Sequence, residues 1–145
     1  MIAIGSDHAG YEAKEKVKKY LESLGVSFKD FGTHSEESCD YPLIAKDVSL
    51  SVKSGESEKG ILICGSGIGM SIAANKFSGI RAALCKNEEA SKLSRSHNDA
   101  NIVCIGARTT DFEEIKKIVS AFLETSFEAG RHQRRLEQIT EIENS

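Results

Sequence analysis

The chain predicts an α/β fold, a Rossmann-like three-layer α/β/α sandwich with a five-stranded parallel sheet and an extra C-terminal helix. Three observations predict it. Short apolar, strand-like runs alternate with helical stretches along the 145 residues, the pattern of a parallel sheet covered by helices on both faces. At residues 60–74, GILICGSGIGMSIAA, an apolar run breaks into a glycine turn and then into helix-forming residues, which reads as buried strand, tight turn and helix start. No linker, repeat or low-complexity segment divides the chain, and its length suits one domain, residues 1–145, with a real core.

Each element has a local reason. Ile2 to Ile4 form a first short strand, and Gly5 to Gly10 a turn. Tyr11 to Leu24 is a helix because Val17, Tyr20, Leu21 and Leu24 recur on one face. Gly25 suits its C-terminal stop. Val26 to Phe31 is a second strand, and Gly32 to Tyr41 a polar loop. Pro42, the only proline, fits the first turn of a helix running to about Lys53, where a missing N–H costs nothing. Ser54 to Lys59 is a turn, Ile61 to Cys64 the third strand, and the helix after the glycines reaches about Phe77. Ile80 to Cys85 is the fourth strand. Asn87 caps a helix through Leu93, with Glu88 and Glu89 suited to its first turn. Polar Ser94 to Asp99 breaks that helix, and Ala100 to Ile105 is the fifth strand. After a loop from Gly106 to Thr110, helices are expected at Asp111 to Leu123 and at Arg131 to Glu143.

Composition narrows the class. Hydrophobic content of 39% and charged content of 28% suit a soluble globular protein, and a formal net charge of -3 disfavours wholesale nucleic-acid binding. No apolar run approaches the roughly 20 residues of a membrane span. The N-terminal MIAIGSDH reads as a strand opening, without the basic and long apolar regions of a signal peptide. A cytoplasmic protein is the expectation. Cys39, Cys64, Cys85 and Cys104 form no C-x-x-C pair. Three of them fall in strand-like or strand-end segments, as reduced thiols do. His8, His34, His97 and His132 are scattered, with no H-x-x-x-H spacing, so no structural metal is expected.

In a parallel α/β sheet the ligand sits beyond the carboxyl ends of the strands. Those ends carry Asp7 and His8, Cys64 with the loop Gly65 to Gly69, His97 and Asn98, and Arg108. The glycines let a backbone approach a ligand closely, and the helix start offers free N–H groups to an anion. Common glycine motifs fail here. Met70 stands where a dinucleotide fingerprint needs its last Gly, and no Lys follows Gly69 as a P-loop requires. Met70 also stands where a thiol phosphatase needs its anion-clamping Arg.

Each candidate also has a plain alternative. Cys64 is either a thiol base or nucleophile beside a helix N-terminus, or a small core residue. Asp7 and His8 either bind hydroxyls or form a turn. His97 either moves protons or sits in a helix-ending loop. Arg131 and Arg135, four apart on a helix, are either a phosphate clamp or a solvated basic face. Together they suit proton transfer on a small, phosphorylated, hydroxyl-rich molecule.

GSDHAG at the N-terminus, DYP at residues 40–42, GILICGSGIGMSIAANKFSGIRA, LSRSHNDAN and GRHQRRLEQI resemble the type B ribose-5-phosphate isomerase family over essentially the whole chain. The resemblance implies metal-free, cofactor-free interconversion of an aldose phosphate and a ketose phosphate through a cis-enediolate. It implies that Cys64 is the base moving a proton between C2 and C1, and His97 the acid that opens the furanose ring. Asp7, His8 and Tyr41 would line the sugar. The loop of Gly65, Ser66, Gly67, Ile68 and Gly69 would hold the enediolate oxygen, and Asn98 would add a further contact. Arg108, Arg131 and Arg135 would bind phosphate. The resemblance also implies a homodimer or dimer of dimers with active sites at the interface. Ser66 departs from the family's common Thr but keeps the hydroxyl. Ser71-Ile72-Ala73 lacks the carboxylate that one branch uses as base, so the cysteine branch fits better. Ribose 5-phosphate is the leading substrate. A hexose 6-phosphate (allose or galactose) is the enzyme alternative, and a non-catalytic sugar-phosphate sensor the alternative from another class.

Overall fold

The computed structural model describes all residues, 1–145. In chain order it runs β1 (Ile2–Ser6), α1 (Tyr11–Ser23), β2 (Phe28–Asp30), α2 (Tyr41–Ser54), β3 (Lys59–Cys64), α3 (Ile68–Ala74), β4 (Ala82–Leu84), α4 (Glu88–Ser96), β5 (Ile102–Gly106), α5 (Phe112–Glu124) and α6 (Arg131–Glu143). The five strands form one sheet in the order β2-β1-β3-β5-β4, and every pairing is parallel. The expected class is therefore the observed one.

Side-chain alternation along the strands divides the core in two. Ile2, Ile4, Ile61, Ile63, Val103 and Ile105 face one way, packed on Val17 and Leu21 of α1 and on Ile115, Ile118, Val119 and Phe122 of α5. Ala3, Leu62, Cys64, Ile102 and Cys104 face the other way, packed on Ala45, Val48 and Val52 of α2 and on Met70 and Ala74 of α3. Strands buried on both faces explain why the central runs read as continuous apolar stretches. The sixth helix stands apart: Leu136 is its only buried residue.

Local chemistry explains the boundaries. Asn87 caps α4 by accepting the Ala90 N–H at 2.8 Å, and Asp111 caps α5 by accepting the Glu114 N–H at 2.9 Å. Gly25 follows α1 and Gly55 ends α2, both in the left-handed region. The structure corrects several expected limits. β2 and β4 are three residues each rather than six, because each is an edge strand with one partner. Val26 donates back to the Leu21 carbonyl and Ile80 to that of Phe77, so both leave preceding turns rather than enter strands. Lys59 and Gly60 belong to β3, α3 stops at Ala74, and β5 starts at Ile102 rather than Ala100. α4 runs on through Ser94–Ser96 because serines there turn inward; Ser91 donates to the Ile118 carbonyl at 2.7 Å, and Ser94 to that of Ser91.

One buried ion pair ties α1 to the edge of the sheet. Lys14 is fully buried, and its Nζ donates to both Asp30 carboxylate oxygens at 2.7 Å and to the Thr33 carbonyl at 2.6 Å. Lys18 also donates to Asp30, at 2.8 Å. Burial pushes the Asp30 carboxyl up, but the bonds from Lys14, Lys18 and the Gly32 N–H outweigh it and hold it below its usual range. Its stabilising contribution is thus complete at neutral pH and is lost as the pH falls through and below the ordinary carboxylate range.

This geometry predicts an asymmetry between two variants. Asp30→Ala strands a wholly buried ammonium and costs about 3–5 kcal/mol, whereas Lys14→Met costs less because Lys18 still neutralises Asp30. Urea unfolding at pH 7 measures both; equal losses would contradict the account.

Candidate active site

The strand order creates the site. β1 and β3 are neighbours, yet β1 feeds α1 on one face and β3 feeds α3 on the other. Their carboxyl ends open into the crevice expected at such a switch point. A cavity of about 670 Å³ lies there, lined by Asp7, His8, Tyr41, Cys64, Gly65, Ser66, Ile68, Gly69 and Arg108. Nine of the residues singled out in the sequence thus meet in one place. Ala9, Ile72 and Thr109 also line it; of these, Thr109 was discoverable from its position just past the end of β5.

Cys64 is the last residue of β3, buried on the α2–α3 face. The Gly67 N–H donates to its Sγ at 3.1 Å. Gly67 has φ 79°, and a Cβ there would stand 2.6 Å from Leu84 Cδ1 and about 3 Å from the backbone of Ile105 and Gly106. Only glycine lets the loop turn back over the sulfur. Ser66 Oγ accepts the Ile68 N–H at 3.2 Å, a turn bond that needs just the hydroxyl serine shares with threonine. Gly69 gives Tyr41 room, since a Cβ would meet its ring at 2.6 Å. Beyond Gly65 lies the Arg108 side chain, whose Nη1 would stand 3.3 Å from a Cβ at that position. The other core thiols are held protonated: burial pushes Cys85 up to about 11 and Cys104 well above its ordinary value. All four cysteines are free.

On the β1 side, Asp7 is buried and accepts the Gly10 N–H at 3.0 Å. His8 Nδ1 accepts the Cys39 N–H at 3.2 Å, which leaves the proton of a neutral ring on Nε2. The same bond ties the 32–40 loop to the cavity wall.

Gly67 does not line the cavity itself but donates to Cys64 Sγ, and four other expected residues lie apart from it. His97 is the C-cap of α4 and stacks on His132, with ring centroids 4.2 Å apart and 16° between planes. Asn98 lies under α6, in a separate groove with Ile139 and Ile142. Arg131 and Arg135 are exposed on α6. Two arginines the sequence did not single out hold this second cluster. Arg95 donates to the Ala100 and Thr125 carbonyls and to Asp99 Oδ1, and Arg81 to the Asn98 and Asp99 carbonyls. The constellation therefore comes in two halves, a thiol with its glycine loop and a histidine with its arginines.

The rim of the first half is apolar and open. Tyr41, Ile68 and Ile72, which line it, are all exposed. No helix is long and apolar enough to cross a membrane.

Known proteins resemble this chain along nearly all of its length. A family model described as Ribose/Galactose Isomerase matches residues 2–139. Ribose-5-phosphate isomerase B of Escherichia coli (strain K12) is 49% identical over 142 residues, 98% of this chain and 95% of that protein. The solved structure of Clostridium thermocellum ribose-5-phosphate isomerase B has a TM-score of 0.97 at 48% identity, covering 99% of this chain and 97% of that one. That of ribose-5-phosphate isomerase B from Mycoplasma genitalium, with bound ribulose-5-phosphate, has a TM-score of 0.95 at 39% identity, covering 99% and 96%.

Proposed function

The chain is an isomerase that belongs to the ribose/galactose isomerase family, and from that premise we propose that it interconverts D-ribose 5-phosphate and D-ribulose 5-phosphate. The pentose reading draws on the relatives named above, one of them solved with ribulose-5-phosphate. The observation that supports the chemistry best is the Gly67 N–H on Cys64 Sγ at the cavity wall.

In this reading the Cys64 thiolate takes the C2 proton of the open-chain aldose and returns it to C1. The backbone donor on sulfur is in place to stabilise the thiolate before the proton arrives. Negative charge then passes to the enediolate oxygen, which the N–H groups of the Gly65–Gly69 loop receive without reorganising. Asp7, His8 and Tyr41 hold the sugar hydroxyls, with His8 offering Nε2–H as a donor. Arg108, beside Gly65, takes the phosphate in cis.

The remaining roles fall, in this reading, to a second copy. We assign ring opening to His97 of the partner subunit, a further hydroxyl contact to Asn98 of the partner subunit, and the rest of the phosphate clamp to Arg131 and Arg135 of the partner subunit. The split of the constellation supports a homodimer, and so does the apolar rim of Tyr41, Ile68 and Ile72, which a partner would cover. The free thiols support a cytoplasmic setting.

Activity on ribose 5-phosphate, assayed in EDTA beside allose 6-phosphate and galactose 6-phosphate, tests the substrate. Pentose turnover is expected to lead; a leading hexose would keep the chemistry and change the substrate. Binding without turnover of any of them would mark a sensor instead. Cys64→Ala should lower kcat by at least ~10²-fold with sugar-phosphate binding retained, as loss of a general base requires; wild-type turnover would remove Cys64 from its role. For the shared site, inactive Cys64→Ala and His97→Ala subunits are unfolded, mixed and refolded together. Half of the random dimers are mixed and each holds one intact site, so about a quarter of wild-type activity should return. No recovery would mean that both residues act within one chain.

A further inference from the structure

Outside the cavity, the densest group of metal-binding side chains lies where α4 meets the start of α6. His97 ends α4, and the Glu128 N–H donates to the Ser96 carbonyl at 3.0 Å, which stitches the incoming chain to that helix end. Ala129 and Gly130 then take φ of 58° and 56° and turn the chain back. Ala129 is one of two non-glycine residues in the left-handed region, a conformation kept only where its surroundings over-determine it. The result brings His132, 35 positions away from His97 in the sequence, face to face with it. Glu128 Oε1 lies 4.0 Å from His97 Nε2 and 3.9 Å from His132 Nε2. Ligand atoms of all three residues fall within 4.8 Å of one another.

Two imidazoles and a carboxylate, with a fourth position open, are a donor set that suits Zn²⁺. Imidazole favours Zn²⁺, Co²⁺ or Ni²⁺, whereas Mg²⁺ and Ca²⁺ want oxygen ligands. Metal–ligand bonds of about 2.0–2.2 Å place tetrahedral donors roughly 3.3 Å apart. The three groups must close by an ångström or so. Glu128 is exposed and His97 partly exposed, so side-chain rotation is sufficient. Arg131 and Arg135 stand near His132 and repel a dication. Such a site fills when the ion is supplied rather than holding a resident metal.

We propose that His97, Glu128 and His132 form an inhibitory site for a divalent transition-metal ion of the Zn²⁺ class. An ion there occupies the nitrogen lone pair of His97 and turns the ring away from its proton-transfer position. The inhibitory consequence rests on the role assigned to His97 above; the binding itself does not.

The cavity holds a second metal-sensitive group, the Cys64 thiol, and the test separates the two. Co²⁺ serves as a spectroscopic probe and Zn²⁺ as the inhibitor, on the purified, EDTA-stripped protein in its native assembly. Wild type should give d–d bands without thiolate-to-metal charge transfer, unchanged in Cys64→Ala. Affinity should fall by at least ~100-fold in His132→Ala, since losing a ligand costs more than losing its supporting bond, and should also fall in Glu128→Gln. Zn²⁺ should abolish wild-type turnover, while His132→Ala keeps its own turnover at the same concentration. Absent d–d bands, a thiolate band lost in Cys64→Ala, or equal inhibition of His132→Ala would each overturn the site. Binding without inhibition would overturn the inhibitory role. His97→Ala, assayed without metal, then locates the fault: if it is active the assignment of His97 fails, and if it is inactive only the metal's effect does.

Discussion

Two neighbouring parallel strands, β1 and β3, send their chains to opposite faces of the sheet, and the rest of the site depends on the gap this opens. Backbone must come very close there. The Asp7 N–H reaches across to the Ile63 carbonyl at 3.2 Å, and the turn that follows presses Gly10 onto the same carbonyl, where a Cβ would stand only 2.6 Å away. On the other strand, the loop from Cys64 folds back over the sulfur only because Gly67 accepts a left-handed φ. Glycine is needed at these two positions for different reasons, space at one and backbone dihedral at the other. What results is a thiol buried among apolar residues with one backbone donor already aimed at it. The backbone dipole facing that sulfur is already oriented by the fold.

Polar groups inside the protein hold the two halves of the constellation in register. The Lys14–Asp30 pair fixes the 30–33 segment through the Thr33 carbonyl and the Gly32 N–H, and the 32–40 loop then grips His8 through the Cys39 N–H. Arg95 does the equivalent work at the far side, joining the end of α4, the 99–100 turn and the approach to α6. Replacing such buried charges by apolar groups is often tolerated, whereas removing one partner is costly. Their value here is positional: each adds side-chain bonds to an irregular segment just beyond the end of a strand or helix. Most of α6, by contrast, is exposed, and it is held to its own chain by Leu136, the His97–His132 stack and a bond from the Gly79 N–H to Glu143.

Much of this was legible in the residues. Alternating strand and helix patterns fixed the class, because a strand covered on both faces must be apolar throughout, as Ile61–Cys64 and Ile102–Ile105 are. The cap at Asn87 and the stop at Gly25 follow from local hydrogen bonding and dihedral freedom, which distant sequence does not alter. Edge-strand lengths were overread at Val26 and Ile80, since an apolar run does not say how many neighbours a strand has. The inward serines of α4 looked like a helix break, because a serine's partner, such as the Ile118 carbonyl for Ser91, belongs to another helix.

The sequence by itself determined the fold class, the thiol at a strand end, the glycine loop after it and the chemical types of the other site residues. These rest on contacts short in sequence and on two simple periods of side-chain direction. Tertiary structure alone decided which of those residues meet. Strand order put Asp7 and His8 beside Cys64, although some 56 positions separate them. It put Arg108 on Gly65, and it left His97, Asn98, Arg131 and Arg135 together outside the cavity. It also stacked His97 on His132 beside Glu128, a grouping that no spacing in the chain announces. The physical reason is the same in each case: chain crossovers in a parallel sheet set proximity, and they are chosen by the packing of whole layers rather than by any one segment.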